Sequence, residues 1–182
     1  MNPACISVIA IGYPGKRMPE LIIRDIEAEF GLPVVVKEGF LEMEEFFDTV
    51  RGQYNANSLL QKIENTFATE DSKVIAVFNI DLFIPILTYI FGQAFLNGKA
   101  AISSTYRLTN ERYGLPKSDT ILLERLKKEV IHELGHTFGL IHCHDPRCVM
   151  RSSTYVEDID QKSHRLCNKC RSAIESTLIK TA

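Results

Sequence analysis

Residues 132–142 read His-Glu-Leu-Gly-His-Thr-Phe-Gly-Leu-Ile-His and concentrate three imidazoles and a carboxylate in one short stretch. On a helix, His132 and His136 stand one above the other on the same face, the spacing at which two imidazoles grip one metal ion. Glu133 lies beside them, within reach of a water on that ion. A helix cannot aim a third imidazole back at the same point, so the chain must turn first. Gly139 is the residue able to take positive φ and end the helix, which returns His142 as the third ligand. Zinc on three neutral imidazoles keeps a position open for water, whose pKa falls from roughly 15.7 to about 7. With Glu133 as general base, the chemistry to expect is peptide-bond hydrolysis through a zinc-bound water.

Downstream, Met150 stands where a methionine turn beneath such a metal site is expected. The plain reading of these histidines is a set of surface or capping groups near a helix C-terminus, and of Met150 a core filler. The length and order of the motif favour the metal reading.

A second donor set follows. Cys143 and Cys148, then Cys167 and Cys170, form two close pairs joined by a longer loop, which fits a closed tetrahedral zinc site with four thiolates. The competing arrangement is two disulfides or free buried thiols. Disulfides need an oxidising compartment, and nothing at this N-terminus routes the chain to one. Cys5, in an apolar run, reads as a core thiol, and His144 and His164 as surface or supporting residues, since four cysteines already fill a tetrahedron.

With the extended histidine motif, Cys143-x4-Cys148, Val149-Met150 and Cys167-x2-Cys170, the chain resembles the archaemetzincin family of zinc metallopeptidases, within the metzincins. Weaker stretches are similar to that family as well: 51–56, 81–83, 91–94 and 103–108. The resemblance implies a compact metzincin-like fold of the α/β (α+β) class, with a twisted mixed sheet of about five strands and one antiparallel edge strand. It implies two zinc ions per chain, one catalytic on His132, His136 and His142 and one structural on the four cysteines, with Glu133 as base. A physiological substrate is not part of what it implies.

The elements that must position these groups can be read in outline. Residues 5–12 form a β-branched run ending at Gly12, as a buried strand would. Helical spacing of Leu21, Ile22, Ile26 and Phe30 predicts one helix over 17–30, stopped by Gly31. Val34–Val36 predict a strand, 56–68 a helix and 74–80 a third strand, an alternation that argues for parallel strands with crossover helices. Between 81 and 108 there is no room for a crossover helix, so a strand there should run antiparallel. Such an edge beside the site is where an extended peptide can add to the sheet. The active-site helix should begin at Ser118 or Asp119 and run to about Phe138, with Leu123, Leu126, Val130 and Leu134 facing the core. A short helix is expected over 169–179. The acidic stretch Glu42, Glu44, Glu45 and Asp48 reads as a solvated helix face, and Arg51 and Tyr54 as supports for the second helix.

With 182 residues, the chain suits one metallopeptidase domain over 1–182, divided into a sheet-and-helix part (1–116), the active-site helix and turn (117–142) and a zinc-stapled part (143–182). Its 21 basic and 23 acidic residues are well mixed, giving no broad field for nucleic acid or an anionic membrane. Apolar stretches are too short or interrupted to span a bilayer, and no signal peptide is evident, so the expected setting is cytoplasmic and the expected partner a peptide or protein substrate. Two rivals remain: a non-catalytic or latent zinc-stapled peptide-binding protein, and a four-cysteine finger binding nucleic acid through Lys162, Arg165, Lys169 and Arg171.

Overall fold

The computed structural model describes residues 3–12 and 17–180. Its elements run β1 (Cys5–Ile11), α1 (Arg17–Glu20), α2 (Ile23–Phe30), β2 (Val34–Gly39), β3 (Phe47–Asp48), β4 (Gln53–Asn55), α3 (Ala56–Phe67), β5 (Ser72–Phe78), β6 (Leu82–Phe83), β7 (Gly92–Ala94), β8 (Ala100–Ser104), α4 (Asp119–Thr137), α5 (Val156–Gln161) and α6 (Asn168–Lys180). The main sheet is five-stranded in the order β2-β1-β5-β8-β7. Four strands are parallel, and β7 alone runs antiparallel, as the edge.

The sheet buries both faces, and side-chain alternation divides it cleanly. Ile6, Val8, Ile75, Val77 and Ala101 pack towards α2, α4 and the C-terminal segment. Ile9, Ile11, Val74, Ala76, Phe78 and Ile102 pack towards α3 on the other side. Asn55 caps α3 by accepting from the amides of Asn57 and Ser58, and Ser118 caps α4 by accepting from Ile121. Each such cap contributes about 1 kcal/mol.

Four expectations need correction. The helix expected over 17–30 is interrupted at Leu21 and Ile22, whose amides bond to Met18 and Pro19 three residues back. Pro19 has no N–H for the helical ladder, and the turn tightens around it. The acidic stretch is exposed at Glu42, Glu44 and Glu45 but is a short 3-10 turn over 44–46 leading into β3, rather than a helix face. Asp48 there accepts the amides of Val50 and Arg51. Arg51 lies over the Phe83 ring and donates to Leu87 O, so it fastens the segment after β6 rather than α3. Cys5 is only half-buried at the start of β1, and α5 carried no signal strong enough to be anticipated.

Helix α4 is also less divided than its apolar spacing suggests. Leu126, Val130 and Leu134 are fully buried and Leu123 partly so, but Arg125, Lys127 and Glu129 on other faces are buried too. The sheet covers one side and the C-terminal segment the other. Arg125 makes a bidentate pair with Asp160 at 2.8 and 2.7 Å, which ties α4 to the end of α5.

Candidate active site and metal centre

The last two turns of α4 carry His132, Glu133 and His136, and its end is tightly anchored. Helix C-termini leave carbonyls without intrahelical donors. Here Asn97 N donates to His136 O at 2.8 Å and Lys73 Nζ to Thr137 O at 2.9 Å, joining the helix end to the β7–β8 hairpin and to β5. Gly139 then takes φ +87, a left-handed conformation that an L side chain rarely adopts, and the chain turns back. The turn brings His142 to the other two rings, with ring centroids 5.3 Å from His132 and 5.0 Å from His136. One nitrogen from each of the three lies within 4.8 Å of the others.

The tautomers follow from the partners. Nδ1 of His132 faces Val149 O at 2.8 Å and Nδ1 of His136 faces Leu140 O at 2.7 Å. A carbonyl only accepts, so each Nδ1 carries the proton and each Nε2 presents a lone pair. The two Nε2 atoms stand 3.2 Å apart. Two lone pairs at that distance repel unless a cation lies between them. Burial lowers the pKa of all three rings, most for His132, so the cation is not readily supplied by protonating them. Neutral imidazoles converging in this way are the donor set zinc takes.

Glu133 shares the cleft. Burial holds its carboxyl well above the ordinary range, with the nearby Glu129 adding to the rise and Lys162 opposing it. The edge strand approaches it closely: a Cβ added at Gly92 would lie 2.7 Å from Glu133 Cγ. Met150 is fully buried, and its Sδ lies against Gly135 where a Cβ would otherwise stand. Gly135 in the motif is thus the space the methionine occupies.

The four thiols also converge. Sγ of Cys143 is 3.8 Å from that of Cys167, Cys148 is 3.8 Å from Cys170, and all four lie within 4.8 Å of one another. Sulfurs at about 2.3 Å from a tetrahedral zinc stand about 3.8 Å apart, so the spacing fits that ion. None is disulfide-bonded. Burial pushes the Cys148 thiol up to about 11 and the Cys170 thiol higher still. Burial acts on Cys167 in the same sense, but hydrogen bonds from Cys170 and the neighbouring thiols outweigh it and lower its pKa.

The open face of the histidine site is a cleft of about 440 Å³, walled by 90–94 on one side and 152–155 on the other. His144 is exposed, and His164 faces Asp25 at 3.6 Å; neither is among the residues of the two donor sets. Sequence reasoning missed Glu129 and Lys162, which line the cleft floor. A glutamate one turn before Glu133 was visible, but only the tertiary fold brings Lys162 to it.

Residues 23–176 match the family model described as peptidase family M54. The chain belongs to peptidase family M54. It is 42% identical over 120 residues to the archaemetzincin of Methanocaldococcus jannaschii, a match covering 66% of this chain and 65% of that relative. Against the archaemetzincin of Pyrococcus horikoshii it is 37% identical over 158 residues, covering 85% of this chain and 84% of the relative. The crystal structure of archaemetzincin from Methanopyrus kandleri superposes with a TM-score of 0.84 at 32% identity, covering 96% of each chain. A zinc-dependent peptidase from Methanocorpusculum labreanum gives 0.83 at 30% identity, covering 93% of this chain and 99% of that one. The M54 match takes in the histidine motif, the methionine and all four cysteines.

Proposed function

We propose that this zinc metallopeptidase of family M54 hydrolyses peptide bonds at His132, His136 and His142, with Glu133 as the proton carrier. The observation that carries the reading is the pair of Nε2 lone pairs facing each other at 3.2 Å beside a buried carboxylate. A zinc ion held there would supply a Lewis acid that acidifies water and polarises a carbonyl, and its charge would oppose the burial that raises the Glu133 pKa.

The chain's own groups do the rest. Val149 O and Leu140 O fix the His132 and His136 rings by accepting from their Nδ1 atoms, which keeps Nε2 available. Glu133 takes a proton from the attacking water as its oxygen bonds to the carbonyl carbon. It then gives that proton to the amide nitrogen as the C–N bond breaks. The walls of the cleft limit competing water, and β7, an edge strand, offers backbone groups to which an extended substrate can pair. Peptides or proteins are therefore the substrate class.

A second zinc on Cys143, Cys148, Cys167 and Cys170 makes two per chain and staples residues 143–182 beneath the active-site turn. Residues 1–182 work as one domain, with parts 1–116 and 117–142 supplying the sheet and the catalytic helix. No helix among the described residues is long and apolar enough to cross a membrane. A cytoplasmic setting suits four reduced thiols. The non-catalytic peptide-binding alternative is not favoured, since base and ligands meet in one cleft. Of the cations that motivated a nucleic-acid reading, Lys162 pairs with Glu129, and Arg165 and Arg171 with Glu29.

Zinc content and peptide cleavage test the proposal together. Wild type should carry two zincs and His132→Ala with His136→Ala one. Glu133→Ala should keep two zincs and lose hydrolysis; cleavage retained in that variant overturns the role of Glu133.

A further inference from the structure

The cleft holds charged groups for which hydrolysis itself has no use. Glu129 sits one helical turn before Glu133, and Lys162 stands at the C-terminal end of α5; both line the cleft floor. Glu129 is 3% exposed and Lys162 2%. Nζ of Lys162 lies 3.2 Å from Oε1 of Glu129 and donates to Arg151 O at 3.1 Å. Oε1 of Glu129 accepts no hydrogen bond among the described residues, although it is sealed from bulk water. A buried ion pair adds little stability, because losing hydration offsets much of the attraction. A buried acceptor left open costs more. An arrangement that costs stability on the floor of a reaction cleft is one that a ligand completes.

We infer that Glu129 and Lys162 form a specificity subsite for a neutral carboxamide, the side chain of a glutamine or asparagine flanking the scissile bond. The inference rests on the peptidase reading above. A carboxamide carries a donor and an acceptor side by side in one plane. Its N–H₂ donates to Oε1 of Glu129, which Lys162 neighbours as an ion-pair partner only, and its oxygen accepts an N–H of Lys162 not given to Arg151 O. Charge decides against the rivals. A substrate carboxylate would meet both Glu129 and Glu133, and a substrate cation would meet Lys162, each in surroundings where like charges are costly. A wholly apolar side chain would suit the walls formed by Ile84, Tyr89 and Phe91 but would cover Oε1 of Glu129 without giving it a hydrogen bond.

The test uses the zinc-loaded full chain and peptides identical except for Gln, Asn, Glu, Lys or Leu beside the scissile bond. On wild type, Gln or Asn should exceed Glu, Lys and Leu in kcat/KM by about 10- to 100-fold, the range expected when a buried polar group is left unpaired. Glu129→Gln removes the anion and keeps Lys162, so the Glu peptide should overtake the Gln peptide. That ratio, taken within one variant, does not depend on how much of it folds. Calorimetric binding of the same peptides to Glu133→Ala should show the same order without turnover. Wild type indifferent to the carboxamide in both cleavage and binding, or Glu129→Gln with unchanged preference, overturns the subsite and leaves the peptidase reading intact. No cleavage of any peptide overturns the peptidase reading, and binding to Glu133→Ala then decides the subsite alone.

Discussion

Gly92→Ala adds one methyl where the edge strand β7 crosses the active-site helix. That Cβ would lie 2.7 Å from Ile102 O, 2.7 Å from Glu133 Cγ and 2.9 Å from Glu133 Oε1, against ordinary contacts that begin at 3.4 Å. The methyl is therefore about 0.7 Å too close on two sides, in an interior packed without slack. Ile102 O belongs to the central ladder of β8 and cannot give way cheaply, so the glutamate is the part displaced. Overpacking of this kind costs ~1–3 kcal/mol, and alanine recovers ~0.5–1 over glycine in a strand. The net loss, about 1.3 kcal/mol at the middle of these ranges, corresponds to roughly 3–5 °C in Tm for a chain of this size. The effect on catalysis is larger, since a base misplaced by about 1 Å loses ~10²-fold. We expect kcat to fall about 10- to 100-fold with zinc content unchanged. Thermal melting, zinc analysis and steady-state kinetics on one well-cleaved peptide read these three quantities separately. A Gly92→Ala variant with wild-type Tm and kcat would refute the reasoning, because it would mean that strand and helix have room to part.

Two further outcomes follow from the protonation states. Burial holds His132, His136 and His142 below their ordinary value of 6.5. Neutral rings therefore stabilise the metal-free fold fully above pH 6.5, and that contribution is lost as pH falls through the depressed values. The metal-free protein should lose Tm on acidification below 6.5, and His132→Gln with His136→Gln should flatten the profile; parallel profiles would count against the assignment. Among the thiols, Cys148 at about 11 and Cys170 above it retain protons in the metal-free cluster at neutral pH, so zinc uptake there must release protons and tighten as pH rises. Cys167→Ser with Cys170→Ser should lose one zinc and destabilise by about 4 kcal/mol, the linkage expected from a site held at about 1,000 times its Kd. An unchanged zinc count in that variant would exclude the cluster as a metal site.

The parts of this molecule legible in the sequence are those fixed by local rules. The β-branched run of β1, the left-handed Gly31 after Phe30 and the Ser118 cap of α4 each depend on neighbours in the chain. The spacing of His132, His136, Gly139 and His142 belongs to the same class, since a helix and a turn are enough to express it. What escaped depends on contacts between distant segments. The tight turn after Pro19 sits where Ile22 and Ile26 enter the core, and buried Arg125 is paired with Asp160 from 35 residues away. Lys162 looked like one of several surface cations, and nothing local to it reports that Glu129 waits at the floor of the cleft.

Residues 148–150 meet three demands in three consecutive positions. Cys148 gives its sulfur to the thiol cluster, Val149 gives its carbonyl to His132, and Met150 fills the space beside Gly135 while its own carbonyl accepts from Cys143 N at 2.9 Å. An insertion or deletion of one residue anywhere in this tripeptide would shift all three at once. The two donor sets thus share a single stretch of backbone: either ion can be lost by substituting its own ligands, but a displacement of that stretch disturbs both sites together.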